Sequence, residues 1–156
     1  MKVKIKMFHP NATIPKQATD LAGGWDVTVT EIIQEQNDFV ICKLGFALQP
    51  PPNYKITLVP RSSLTKTKWI LQNSPCLGDA DYLQEYQLRF RCLPDDVEGE
   101  EMGRIFPTLL YTQFPYKIGD RIGQLYLEEV IPIEFEQVDD LLPIGNRIGG
   151  FGSTNN

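Results

Sequence analysis

Pro50-Pro51-Pro52-Asn53, followed at once by Tyr54-Lys55-Ile56-Thr57-Leu58-Val59, decides the fold. Three consecutive prolines cannot lie inside a helix or a central strand, because each lacks the amide donor that the ladder needs, so this segment is a loop. Beyond it apolar and polar residues alternate, and a period of two sends successive side chains to opposite faces of a strand. The same signal recurs in both directions. Towards the N-terminus, Lys2-Val3-Lys4-Ile5-Lys6 alternates and Phe39-Val40-Ile41-Cys42 is a continuous apolar run. Towards the C-terminus, Gln87 to Cys92, Ile122 to Leu127 and Val130 to Phe135 continue the pattern between turn residues. One short helix is predicted over Ser63 to Leu71, entered through Ser62-Ser63 as caps. Many short strands with scattered proline and glycine predict an all-β sandwich or jelly roll.

A chain of 156 residues is the size of one domain, and 42% hydrophobic residues suffice for a core without staples. The net charge of −5 argues against a duplex nucleic-acid binder, which needs a basic stripe to neutralise phosphates. Cys42, Cys76 and Cys92 are odd in number, lack metal-like spacing and come without a signal-peptide pattern, so reduced cytoplasmic thiols are expected. No apolar run approaches the ~18 residues of a membrane span. His9 is the one histidine, which leaves neither a histidine metal cluster nor a Ser-His-Asp arrangement. The acidic block Asp95 to Glu101 reads as a solvated hairpin tip.

Five short stretches carry chemistry: Ala22-Gly23-Gly24-Trp25-Asp26, Pro60-Arg61-Ser62-Ser63-Leu64, Asn73 to Tyr82, Gly119 to Leu125, and the terminal Gly149-Gly150-Phe151-Gly152-Ser153-Thr154. Asp79 and Asp81 flank Ala80, so on a strand or tight hairpin they point to opposite sides and can take different roles. Arg61, Ser62 and Ser63 offer a guanidinium, two hydroxyls and successive backbone donors, which makes either an anion site or an ordinary capped turn. Gly119-Asp120 is a turn signal, and Arg121 is expected to pair with a carboxylate. Phe151 sits in a glycine-rich arm that has no core for it to join, so it is a candidate for closing over something planar.

In this order the five stretches resemble the five motifs of the trimeric dUTP pyrophosphatases (dUTPases), over essentially the whole chain from Met1 to Asn156. The resemblance implies a jelly-roll domain over residues 1–145, an arm over 146–156, and a homotrimer with shared active sites. It implies hydrolysis of dUTP to dUMP and pyrophosphate with Mg²⁺; the charge and the lack of a long apolar run add the expectation of no nucleic-acid or membrane partner. Carried over, Asp79 is the base that activates water for attack on the α-phosphorus, and Tyr82 packs on the deoxyribose. Leu77 and Gly78 read uracil through their backbone, with Asn73 nearby. Arg61, Ser62, Ser63 and Gln124 hold the phosphate chain, and Asp26 orders magnesium through water. In the arm, Phe151 stacks on uracil, Ser153 and Thr154 match the family's γ-phosphate contacts, and Gly152 between them is counted with the substrate-binding residues. Arg147 stands one residue from the family's arginine, whose place Asn146 takes. The hairpin pattern N-x-x-G-x-I-D-x-D-Y-x-G-E is departed from at Cys76, Gly78 and Gln84. Two alternatives carry different chemistry: a related dCTP deaminase, which shares the arginine-serine-serine motif, and a regulatory protein that binds nucleotide and engages a partner through the acidic block.

Overall fold

The computed structural model describes residues 1–36, 38–94, 113–142 and 144–145. Among them, eleven strands form three antiparallel sheets. β1 (Lys4–Met7) pairs with β6 (Phe46–Gln49). A second sheet runs β4 (Glu31–Gln36), β5 (Phe39–Lys43), β10 (Gln87–Cys92) and β8 (Trp69–Leu71). The third runs β2 (Lys16–Gln17), β3 (Trp25–Thr28), β11 (Arg121–Glu129), β7 (Tyr54–Pro60) and β9 (Cys76–Gly78). β11 thus sits between strands from the first half of the chain. Long crossings of this kind separate a jelly roll from a meander.

The predicted alternation is what builds the core. Leu88, Phe90 and Cys92 of β10 are buried at every second position, and they join one cluster with Val40 and Cys42 of β5, Ile56 and Leu58 of β7, and Ile122 and Leu125 of β11. A Cβ on Gly123 of β11 would meet Leu88 Cδ1 of β10 at 2.7 Å, so the two larger sheets pack face to face with little space between them. Each fully buried leucine or phenylalanine contributes about 1.5–3 kcal/mol relative to exposure. Cys42, Cys76 and Cys92 are free thiols, and burial pushes Cys42 up to about 12.

Two expectations are corrected. Ser63 to Leu71 is not a helix: a 3-10 turn spans Ser62–Lys66, and β8 follows at Trp69–Leu71. Leu64 is the buried residue of that turn, whereas Trp69 and Leu71 are buried on either side of exposed Ile70, so a period of two overrides the helical reading. Val130 to Phe135 is not a strand of these sheets. Val130 N–H donates to Asn53 O at 2.6 Å, and beyond it Ile131, Ile133 and Phe135 are 76%, 70% and 91% exposed.

Candidate functional site

β9 delivers the hairpin. Its last residue, Gly78, pairs with Ile56 of β7, and the chain then turns, with Tyr82 N–H donating to Asp79 O at 3.1 Å. Asp79 and Asp81 therefore lie on a turn rather than on alternating faces of a strand, and both are exposed to water. The return segment is clamped to β6. Gly45 N–H donates to Glu85 Oε1 at 2.9 Å, and Tyr86 N–H donates to Phe46 O at 2.9 Å. Tyr82 Oη in turn donates to Glu85 O at 3.3 Å, which ties its ring to the clamped backbone.

Asn73 fastens the other side of the hairpin. Its Oδ1 accepts from Arg89 N–H at 2.9 Å and its Nδ2 donates to Gln87 O at 3.2 Å. Between these fixed edges lies a cleft of 280 Å³ whose lining includes Asn73, Cys76, Leu77, Tyr82, Tyr86 and Arg89. That volume lies at the small end of ligand sites and suits one ring better than a whole nucleotide. Of the expected residues, Asn73, Leu77 and Tyr82 line this cleft, while Gly78 lies against Tyr86 and Asp79 follows on the turn. Gly78 has a steric reason here: a Cβ on it would meet Tyr86 Oη at 2.1 Å.

A second cluster is centred on Asp26, which is 6% exposed. Arg121 Nη1 donates to its Oδ2 at 2.9 Å, Gln124 Nε2 donates to its Oδ1 at 3.1 Å, and Arg61 Nε lies 3.5 Å from Oδ1. Arg61 Nη1 also donates to Arg121 O at 3.3 Å. Residues 121 and 124 would point to opposite faces of a regular strand. The register shift between Arg121 and Gly123 lets both reach one carboxylate, which is what a bulge does. Two guanidiniums against one carboxylate leave a net positive charge. Arg121 is paired as expected, and Asp120 accepts from Lys117 N–H in a turn where Gly119 has φ 91°.

Ser62 and Ser63 stand beside this cluster with exposed side chains. The capping alternative fails, since no side chain caps the 3-10 turn at its start. Ser63 Oγ reaches Tyr116 Oη at 3.4 Å, and Ser62 contributes its carbonyl to Thr65 Oγ1 at 2.7 Å.

The two clusters lie at different points along β7 within one chain. Gly78 pairs with Ile56, whereas Arg61 follows the far end of that strand, five positions on. At the rise of a strand this is ~16 Å along the chain. A further division concerns metal. Among the described residues no group of three or more His, Cys, Asp or Glu is placed to hold an ion. Asp26 accepts two hydrogen bonds and has a second guanidinium 3.5 Å away, so contact with a cation through water suits it better than direct ligation.

Arg147, Phe151, Gly152, Ser153, Thr154 and the 146–156 arm lie outside the described residues, as does Asp95 to Glu101. Tyr86 and Arg89 were not foreseen as lining the cleft. The available signal was Gly78, which stands where the family pattern has isoleucine and leaves a volume that another side chain must fill.

The folded chain is an antiparallel β protein of the jelly-roll class with a ring-sized cleft in one hairpin. No protein-family model matches it. It is 31% identical over 156 residues to the deoxyuridine 5′-triphosphate nucleotidohydrolase of Helicobacter pylori (strain ATCC 700392 / 26695), covering 99% of this chain and 97% of the relative. The protein of the same description from strain Shi470 is 30% identical with the same coverage. Among solved structures, the chain is similar to the dUTPase of Staphylococcus bacteriophage 80alpha with dUpNHpp, at TM-score 0.74 and 22% identity over 99% of this chain and 98% of that one. A mutant dUTPase from phage phi11 of S. aureus, described for its coordination of a structural Mg(II) ion, matches at TM-score 0.67 and 18% identity over 90% and 98%. The chain belongs to the dUTPase family.

Proposed function

We propose that the protein is a magnesium-dependent dUTP diphosphatase that releases dUMP and pyrophosphate from a site shared between copies of the chain. The observation that carries this reading is the hairpin, in which the exposed Asp79 follows Gly78 on the turn beside a ring-sized cleft lined by Leu77 and Tyr82. Asp79 accepts a proton from water as the water attacks the α-phosphorus, and the bond to the β-phosphate bridging oxygen breaks as pyrophosphate leaves. Tyr82, held through Glu85 O, walls off the sugar's 2′ position.

Arg61, Ser62, Ser63 and Gln124 hold the phosphates. Their separation from Gly78 by five positions along β7 supports supply from a neighbouring chain. The exposed Ile131, Ile133 and Phe135 support close association of copies, and a homotrimer is the assembly we propose. Magnesium, when bound to the triphosphate oxygens, neutralises their charge and polarises the phosphorus; the residue that meets its water shell is Asp26. Arg147, Phe151, Gly152, Ser153 and Thr154 are proposed to close over the base and the phosphates. No described helix is long and apolar enough to cross a membrane, and the cytoplasm is the proposed location.

A nucleotide panel with product analysis tests this. The expected products from dUTP are dUMP and pyrophosphate in equal amounts, only with magnesium and without ammonia. Ammonia from dCTP would support the deaminase reading, and binding of dUTP without turnover would support a regulatory one.

A further inference from the structure

We propose that Tyr86 is a specificity-determining residue of the hairpin cleft, its hydroxyl donating a hydrogen bond to a carbonyl oxygen of the bound pyrimidine and its ring holding Tyr82 in place. This rests on the dUTP reading above.

Tyr86 Oη is the one buried side-chain polar atom without a partner among the described residues. Such atoms are uncommon in native proteins, because an unpaired buried hydroxyl destabilises the fold, and each calls for a ligand, ion or water that completes it. Tyr86 is 2% exposed, yet it lines the cleft with Asn73, Cys76, Leu77 and Tyr82. The phenol occupies the space that Gly78 leaves free: a Cβ there would meet Oη at 2.1 Å and Cε1 at 2.6 Å. The Gly78–Tyr86 pair therefore puts an unpaired buried donor beside the cleft, where an aliphatic pair would put none.

Other donors also line the cleft, the Gln87 amide and the exposed Arg89 guanidinium among them, but Tyr86 Oη is the buried one left without a partner among the described residues. Asn73 Oδ1 and one of its amide hydrogens are engaged by the backbone of Arg89 and Gln87, which leaves a single N–H. The Cys76 thiol is a weak donor. Burial raises the Tyr86 pKa, with Cys76, Tyr82 and Asp79 adding to the effect, so the phenol stays protonated and able to donate at neutral pH. The Tyr86 ring also meets that of Tyr82 edge to face, with centroids 5.3 Å apart and planes at 76°. That contact fixes the orientation of a ring that is otherwise 38% exposed.

Tyr86→Phe removes one oxygen and keeps the ring. Its affinity for dUMP, measured by calorimetric titration, is expected to fall about three- to tenfold, the value of one neutral hydrogen bond, with kcat/KM for dUTP falling in parallel. Its melting temperature should equal or exceed that of the wild type, since no bond within the free protein is lost. Its preference for dUTP over UTP should persist, whereas Tyr86→Leu should lose much of that preference because Tyr82 loses its brace. Wild-type affinity for dUMP in Tyr86→Phe overturns the proposal. So does a lowered melting temperature with unchanged affinity, which would mean that the hydroxyl is paired inside the folded chain. An undiminished preference in Tyr86→Leu removes the ring's role. Wild-type protein that fails to turn over dUTP sinks the diphosphatase reading itself, while an active wild type matched by Tyr86→Phe sinks only this proposal.

Discussion

Gln124 and Asp26 stand directly opposite one another on β11 and β3, and the glutamine amide donates to the buried carboxylate at 3.1 Å. Because Arg121 and Arg61 converge on the same carboxylate, its charge holds the three side chains together. Asp26→Asn keeps the shape and removes the charge. The expected loss of stability is about 1–3 kcal/mol, tempered because Arg121 is half-exposed and screened. The magnesium concentration for half-maximal rate should also rise several-fold. Thermal melting and a magnesium titration check both. A lowered melting temperature with unchanged magnesium dependence would assign the carboxylate wholly to the arginines.

Asp79 lies on an exposed turn with its backbone carbonyl, and not its side chain, in the turn hydrogen bond. Asp79→Asn should therefore melt like the wild type and bind dUTP, while kcat falls about 10²–10⁴-fold, the usual contribution of a general base. Single-turnover kinetics separate the two effects. Turnover near the wild-type rate would move the base elsewhere, with Asp81 the next residue to test.

Tyr82→Ala should lower the ratio of kcat/KM for dUTP to that for UTP. Rejecting a single hydroxyl by contact depends on a wall at van der Waals distance, and this wall is held by Glu85 O and the edge of Tyr86. Competition kinetics with both nucleotides read the ratio directly, and an unchanged ratio would place sugar discrimination in another residue.

Gly78→Ala should destabilise the hairpin by about 1–3 kcal/mol, the cost of overpacking a site with no room for a methyl group. The clash is with the Tyr86 phenol at 2.1 Å, so adding Tyr86→Leu should recover much of the loss. A double-mutant cycle on melting temperatures measures this coupling, and additive losses would show that Gly78 is needed for its backbone alone.

β7 and β10 were legible because their alternation coincides with burial on one face, Ile56 and Leu58 in one strand and Leu88, Phe90 and Cys92 in the other. The hairpin residues were legible as a motif, though β9 itself, only Cys76–Gly78, is too short to carry a period. Ser62-Ser63 misled as helix caps because their hydroxyls make no such bond, and Trp69-Ile70-Leu71 belongs to a strand. Asp26 stood out in sequence only through the resemblance, and nothing local marked it as buried. Its burial is made possible by Arg121, 95 positions away, and no local pattern shows a partner at that distance. Val130 to Phe135 has the alternation of a strand, but the described part of its own chain gives it no ladder to join.

The central claim is that dUTP is cleaved between chains, with the Asp79 hairpin of one and the Arg61 cluster of another. Mixing Asp79→Asn with Arg61→Ala under subunit exchange, each folded but inactive alone, tests it through pyrophosphate release from dUTP. Random assortment leaves intact sites that draw Asp79 and Arg61 from different chains, so roughly a quarter of wild-type activity should return. Mixtures as inactive as their parents, despite verified exchange, would place both residues of each site in a single chain and contradict the account.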